Sequence, residues 1–230
     1  MSITSNAVIL CNMYASLICI YCLLVQFHLS VGACSGNEAM ATFNDRKNPE
    51  VAVELLIEYL KIKYPEFDFN EFVYVGVKRQ ELYHVKDNKL VEIYDVSTAI
   101  NGVGNKDGSH QTPIGLHRIQ AKIGQNVPLG GVFVGKKYTG KTANISIQKL
   151  SSTNDDITSR VLTLQGEEIG VNYGTKDIDS YRRKIYIHGT PEEGLIGQPA
   201  SHGCIRMKNK EIIELFEKIS VGTMVIILNN

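Results

Sequence analysis

At 230 residues, with 43% hydrophobic and 21% charged side chains, the chain can bury a core of useful size, and its composition excludes disorder. Lys+Arg and Asp+Glu both total 24, so the formal net charge is zero and nothing in the overall balance favours nucleic acid or an acidic surface. One domain plus a shorter segment is the organisation this length predicts.

The charges are unevenly placed. No Lys, Arg, Asp or Glu occurs from Met1 to Cys34, so every formal charge falls in the rest of the chain. The run "AVILCNMYASLICIYCLLVQFHLSVGAC" is long enough at helical rise to cross a hydrocarbon core. Residues 1–33 therefore read as a signal peptide cut after "VGA" or as a retained membrane anchor. The small pair Gly32-Ala33 before Cys34 also resembles the lipobox of bacterial lipoproteins, which makes Cys34 a lipidation candidate. Membrane contact, through the leader or a lipid, is the partner this segment predicts. It places the rest of the chain in the cell envelope, exported or anchored on the periplasmic side.

Residues 34–70 read as a linker and a helix. "SGNEAMATFNDRKNPE" is polar, and "NPEVAVELLIEYLKIKY" has helical periodicity. Asn48 is placed to cap that helix, Pro49 suits its first turn, and Glu50 complements its dipole. Val53, Leu56, Leu60 and Tyr64 recur at three- and four-residue steps and form one packing face.

From residue 71 to the C-terminus the period changes to two. "FVYVGVKRQELYHV" and "KLVEIYDVSTA" read as strands joined by a hairpin turn at Asp87-Asn88. Further strands are predicted at "GLHRIQAKI", "GVFVGKKYT", "SRVLTLQG", "RKIYIHG" and "TMVIILN". A second helix, "KNKEIIELFEKISVG", turns Ile212, Leu215, Phe216 and Ile219 inward and stops at Gly222. The body is mainly β, a mixed or antiparallel sandwich with one helix near each end.

Five cysteines stand at positions 11, 19, 22, 34 and 204. Three lie in the leader and one at its end, so the exported body keeps a solitary thiol, Cys204. A lone thiol in an oxidising compartment is either a small buried hydrophobe or a reactive group. A nucleophile needs a base, because a free thiol is mostly protonated at neutral pH.

Six histidines are available. His28 belongs to the leader, His84 and His117 read as surface residues of strands, and His110 as a solvated loop residue. His188 ends the alternating run "KIYIH", where a strand gives way to the loop "GTPEEGLIGQPA". That loop can fold back and bring Cys204 beside it, so His188 is the candidate base. His202, two residues from Cys204 on a turn, has poor geometry for direct proton transfer and reads as turn support. Backbone N–H groups around Gly203 and Cys204 are candidates to stabilise an oxyanion. Arg206 reads either as a two-donor grip on a substrate carboxylate or as a loop-fixing ion pair. One body cysteine is too few for a structural zinc site, no metal or other cofactor is called for, and no Gly-rich phosphate cradle is present.

"HGT" at His188–Thr190, followed by "SHGCIRM" at Ser201–Met207, resembles the L,D-transpeptidases with the YkuD catalytic domain. "STAINGVGNKDGSHQTPIGLHRI", with Thr112-Pro113-Ile114-Gly115 as its turn, and "GVNYGTKDIDSYRRKIYIHGTPEE" extend the likeness to roughly residues 72–228. The resemblance implies an L,D-transpeptidase-like β-sandwich and a cysteine acyltransferase acting on peptidoglycan stem peptides. Cys204 would attack a tetrapeptide stem and His188 would move the protons. Gly189 would orient His188 through its carbonyl, with Ser201, His202 and Gly203 shaping the turn. An amine of another stem would resolve the acyl-enzyme into a 3→3 cross-link. Water would make the protein an L,D-carboxypeptidase, and action on a lipoprotein amine or on its link to peptidoglycan would make it an attachment or release enzyme. The same likeness implies acylation of Cys204 by carbapenems. Outside the enzyme class, a non-catalytic peptidoglycan-binding lipoprotein is the alternative.

Overall fold

The computed structural model describes residues 48–152, 155–175 and 177–230. The leader, Cys34, His28 and the first part of the linker lie outside the described residues. Among those described, no helix is long and apolar enough to cross a membrane.

Helix α1, Pro49–Lys63, begins where the sequence puts it, with proline in its first turn, but the Asn48 side chain makes no capping bond. The Asn48 carbonyl instead accepts from Ala52 N at 3.4 Å. Val53, Ile57 and Leu60 form the buried stripe of α1. They meet Phe72, Tyr74, Tyr83 and Ile226 in one apolar cluster, with Leu56 at its margin.

Strands β1 (Glu71–Gly76), β2 (Glu81–Lys86) and β3 (Lys89–Asp95) form an antiparallel meander. The run "FVYVGVKRQELYHV" is thus two strands, because the charged stretch through Gln80 makes a turn with Gln80 at φ 56°. Asp87 and Asn88, at φ 52° and 58°, form the predicted hairpin turn in the left-handed conformation that such two-residue turns need. "GVFVGKKYT" likewise divides, into β5 (Gly131–Val134) and β6 (Lys137–Thr142), around Gly135 at φ 62°.

Strand β4 (Gly115–Ile123) pairs with β7 (Ile157–Gly166) and with β10 (Met224–Leu228). Strand β10 lies parallel to β1. The pairing order is β3–β2–β1–β10–β4–β7–β5–β6, with β8 (Tyr186–Gly189) also on β7 and β9 (Ile205–Met207) on β8. Among the described residues the architecture is therefore mainly β with two α-helices, as the sequence predicts. Strand β9 was absent from the predicted elements, because three residues are too few for a period to register.

Helix α2, Asn209–Lys218, covers the face of the sheet opposite α1. Its Ile212, Leu215 and Phe216 pack with Val73, Val75, Ile187, Ile205 and Val225, and Ile219 joins them. The helix stops at Lys218, short of Gly222, whose φ of 93° belongs to the turn into β10. Strand β1 alternates strictly between the two clusters: Phe72 and Tyr74 face α1, while Val73 and Val75 face α2. Burial on both faces explains why it reads as a continuous apolar run.

Two histidines read as surface residues are interior ones. His84 is buried with Nε2 at 3.0 Å from Glu71 Oε1. His117 is buried between the Gly115 carbonyl and Ser180 Oγ, 3.0 Å from each. Both ring nitrogens of His117 are satisfied, whereas His84 bonds through Nε2 and its buried Nδ1 has no partner; sequence alternation carries no trace of either environment. His110 is exposed, as expected.

Candidate active site

The site is built by strand pairing. Ile187 and Ile205 are register partners in the parallel β8–β9 pair, and both are sealed in the α2 cluster. Their neighbours must therefore project to the opposite face. His188 pairs with Arg206 there, one step beyond, and with Val161 of β7 on its other side, while Cys204 stands immediately before β9. Cys204 packs on Phe133, Val161 and Tyr186, a small third cluster on that face. The solitary body thiol and the strand-end histidine are thus brought to one side of one strand pair.

Each group is held by short bonds. His188 is 2% exposed, and its Nδ1 lies 2.8 Å from the Gly189 carbonyl. That carbonyl can only accept, so Nδ1 carries the proton and Nε2 is left with its lone pair. Burial drives the His188 pKa down to about 4, against a smaller upward pull from the Gly189 bond and Asp155. Burial pushes the Cys204 thiol up to about 11, partly offset by the Tyr186 backbone N–H. At neutral pH the pair rests as thiol and neutral imidazole. The Cys204 S–H donates to the Lys184 carbonyl at 3.5 Å.

Ser201 fixes the turn that carries the thiol. Its hydroxyl donates to the Cys204 carbonyl at 2.6 Å and accepts from Gly203 N at 3.2 Å. Its own N–H donates to the Thr98 carbonyl at 2.9 Å. Gly203 has φ 132°, and an added Cβ would stand 3.3 Å from the Gln111 carbonyl and from Ile185 Cδ1. Only glycine meets both demands without strain. Thr112 Oγ1, from the "TPIG" turn, donates to the Gly203 carbonyl at 3.1 Å and accepts from Ala99 N at 2.9 Å.

His202 points outward at 64% side-chain exposure, with Nδ1 2.7 Å from Asp155 Oδ2. Its ring stands edge-on to His110 with centroids 6.0 Å apart. Arg206 is 1% exposed, and its Nη1 donates to Glu192 Oε2 at 2.6 Å and to Asp155 Oδ1 at 2.9 Å. Of the two readings given for Arg206, this geometry is that of the loop-fixing ion pair. Its backbone exchanges two bonds of 2.9 Å with Ser97.

Four contributors went unnoticed in the sequence: Asp155, Glu192, Asn209 and the Lys184 carbonyl. Asn209, fully buried, accepts from Thr158 and Ser159 hydroxyls at 2.7 and 2.5 Å. It donates to the Thr190 carbonyl at 2.7 Å and to Glu193 Oε1 at 2.8 Å, which ties down the loop after His188. Asp155 in "SSTNDD" and Glu192 in "TPEE" look like ordinary surface acids until the fold places them. Among the described residues no group of three His, Cys, Asp or Glu side chains is arranged to hold a metal ion.

The family model for the YkuD L,D-transpeptidase catalytic domain matches residues 70–227. The chain belongs to this family. The match includes His188, Gly189 and the whole Ser201–Met207 turn. YkuD of Bacillus licheniformis is 26% identical over 163 residues, covering 63% of this chain and 96% of that one. YqjB of Bacillus subtilis is 50% identical over 48 residues, 20% of this chain and 27% of its own, so that match spans about a quarter of the relative. The crystal structure of an L,D-transpeptidase from Xylanimonas cellulosilytica (residues 123–326) superposes with a TM-score of 0.44 at 19% identity, over 76% of this chain and 69% of that one. The family assignment rests on the sequence match.

Proposed function

We propose that this chain is a cysteine acyltransferase that forms 3→3 cross-links between peptidoglycan stem peptides. The observation that carries this reading is the placement of Cys204 and His188 on one face of the β8–β9 pair, with His188 Nδ1 bonded to Gly189 O and Nε2 free to take a proton. The Cys204 proton moves to His188 Nε2 as sulfur attacks the carbonyl joining the third residue of a tetrapeptide stem to its terminal D-residue. The Gly203 N–H is engaged by Ser201 Oγ, so the developing oxyanion falls to the Cys204 N–H. Collapse of the tetrahedral species breaks the C–N bond, and His188 returns its proton to the departing amine. The amine of a second stem then attacks the thioester and gives its proton to His188, the C–S bond breaks, and His188 returns the proton to the departing sulfur to restore the Cys204 thiol.

Export or anchoring by residues 1–33 and lipidation at Cys34 belong to the same proposal, since the substrate lies outside the cytoplasm. Abolition of palmitate labelling by Cys34→Ala is the expected result for the lipid. For the reaction, purified protein is incubated with tetrapeptide muropeptides and the products are weighed by mass spectrometry. Cross-linked dimers and an acyl adduct on Cys204 are expected. Stems shortened by one residue would indicate hydrolysis instead, and neither product nor adduct would overturn the proposal.

A further inference from the structure

Arg206 presents a problem of charge. It is fully buried beside His188, its register partner on the same face, and a bare guanidinium there would oppose any proton placed on His188. Two carboxylates meet the same Nη1: Glu192 Oε2 at 2.6 Å and Asp155 Oδ1 at 2.9 Å. One cation against two anions leaves this group with a net charge of minus one. One carboxylate would have been enough to neutralise Arg206. The second leaves a surplus negative charge next to the one group that must become positive during the reaction.

We propose that Asp155 is a positioning residue of the acyl-transfer site, supplying through the Arg206–Glu192 group the counter-charge for the His188 imidazolium that forms when Cys204 gives up its proton. This rests on the reading of Cys204 and His188 as nucleophile and base. The step is a proton transfer, in which the S–H bond breaks, the Nε2–H bond forms, and a neutral pair becomes thiolate and imidazolium. The Asp155 charge raises the pKa of both His188 and the Cys204 thiol. The separation is favoured because the imidazole stands opposite Arg206, the partner of Asp155, while Cys204 stands two residues earlier in the chain.

The surroundings fit the role. Glu192 is held rigidly, since its backbone N–H donates to Thr190 Oγ1 at 3.1 Å and its Oε1 accepts from Ser152 N. Asp155 is the more accessible of the two, with a quarter of its side chain exposed, and its second oxygen meets His202. Burial opposes ionisation of Asp155, but the His202 bond and the charge and bond of Arg206 outweigh it and hold the carboxyl below the usual range. The charged or titratable groups around His188 are therefore Arg206 from β9, Cys204 from the turn, Glu192 from the following loop, and Asp155 with His202 at the rim. From β7 the register partner is Val161, which carries no charge.

The test measures the rate of Cys204 alkylation by iodoacetamide across pH in the full chain, for wild type, Asp155→Asn and Asp155→Glu. Removing a negative charge lowers the pKa of both members of the pair. The transfer depends on the difference between the two values, so Asp155→Asn should move the acidic limb, set by His188, to lower pH by about one unit and the basic limb, set by Cys204, by clearly less. Equal shifts of both limbs would overturn the proposal. Asp155→Glu should keep both limbs at the wild-type positions. A purely structural role for Asp155 would lower the plateau and leave the limbs in place, and that result would overturn the proposal. So would an Asp155→Glu profile that coincides with Asp155→Asn. Thermal melts of each variant verify that the comparison is made on folded protein. Alkylation needs only a reactive thiol, so these results stand apart from the muropeptide assay, which tests the substrate.

Discussion

The Ser201 hydroxyl donates to the Cys204 carbonyl at 2.6 Å across three residues, and its oxygen also accepts the Gly203 N–H at 3.2 Å. A single side chain thereby closes the turn that presents the thiol. Ser201→Ala should cost about 1–3 kcal/mol, because the Gly203 N–H is left buried without its acceptor. Urea denaturation measures this, and the Cys204 alkylation rate should fall with it. Ser201→Thr, which keeps the hydroxyl, should recover part of both.

The chemistry itself should separate cleanly from stability. Cys204→Ala should form no adduct with a carbapenem, judged by intact mass, and should melt close to wild type. His188→Gln should slow adduct formation by roughly 10²–10⁴-fold, the usual contribution of a positioned general base. An adduct that forms equally fast without His188 would remove it from the mechanism.

Arg206 offers a contrast between two roles. Replacing it with Met leaves Asp155 and Glu192 facing one another without a cation, at a cost of about 3–5 kcal/mol. A grip on substrate would instead raise KM in a protein of unchanged stability. Denaturation and steady-state kinetics on the same variant distinguish these, and the destabilised outcome is expected.

Gly203→Ala places a side chain at φ 132° and 3.3 Å from the Gln111 carbonyl. Strain of about 1–3 kcal/mol is expected from the backbone alone. Since the displaced group is the residue before the nucleophile, acylation should fall further than stability. Comparing the carbapenem adduct rate with the denaturation midpoint checks that ordering.

His117 and His188 are both buried, and burial holds each near a pKa of about 4. Their unfolded value is about 6.5, so between these limits the unfolded chain binds more protons than the folded one. Stability should therefore be fully present above pH 6.5 and fall as the pH drops toward 4, by on the order of 3 kcal/mol for each ring. Urea titrations at pH 7 and 4.5 measure the slope. His117→Gln, which removes one of the two titrating rings, should make it shallower.

Much of this protein was legible in its sequence. Alternation located β4 and β10, three- and four-residue spacing located both helices, and Asp87-Asn88 marked a hairpin, because each is a local pattern with a local cause. The solitary Cys204 and the strand-end His188 were visible for similar reasons: composition makes one rare, and periodicity places the other. Strand β9 was not legible, since three residues hold too little pattern, yet β9 is what brings Arg206 opposite His188.

The tertiary structure decided everything that depends on partners distant in sequence. It buried His84 and His117, turned His202 outward to Asp155, and withdrew Arg206 from solvent between two carboxylates. A side chain's type fixes what bonds it can make, but its burial and its neighbours fix its charge. Those come from the packing of β8, β9 and the loops around them, which no local run of residues encodes.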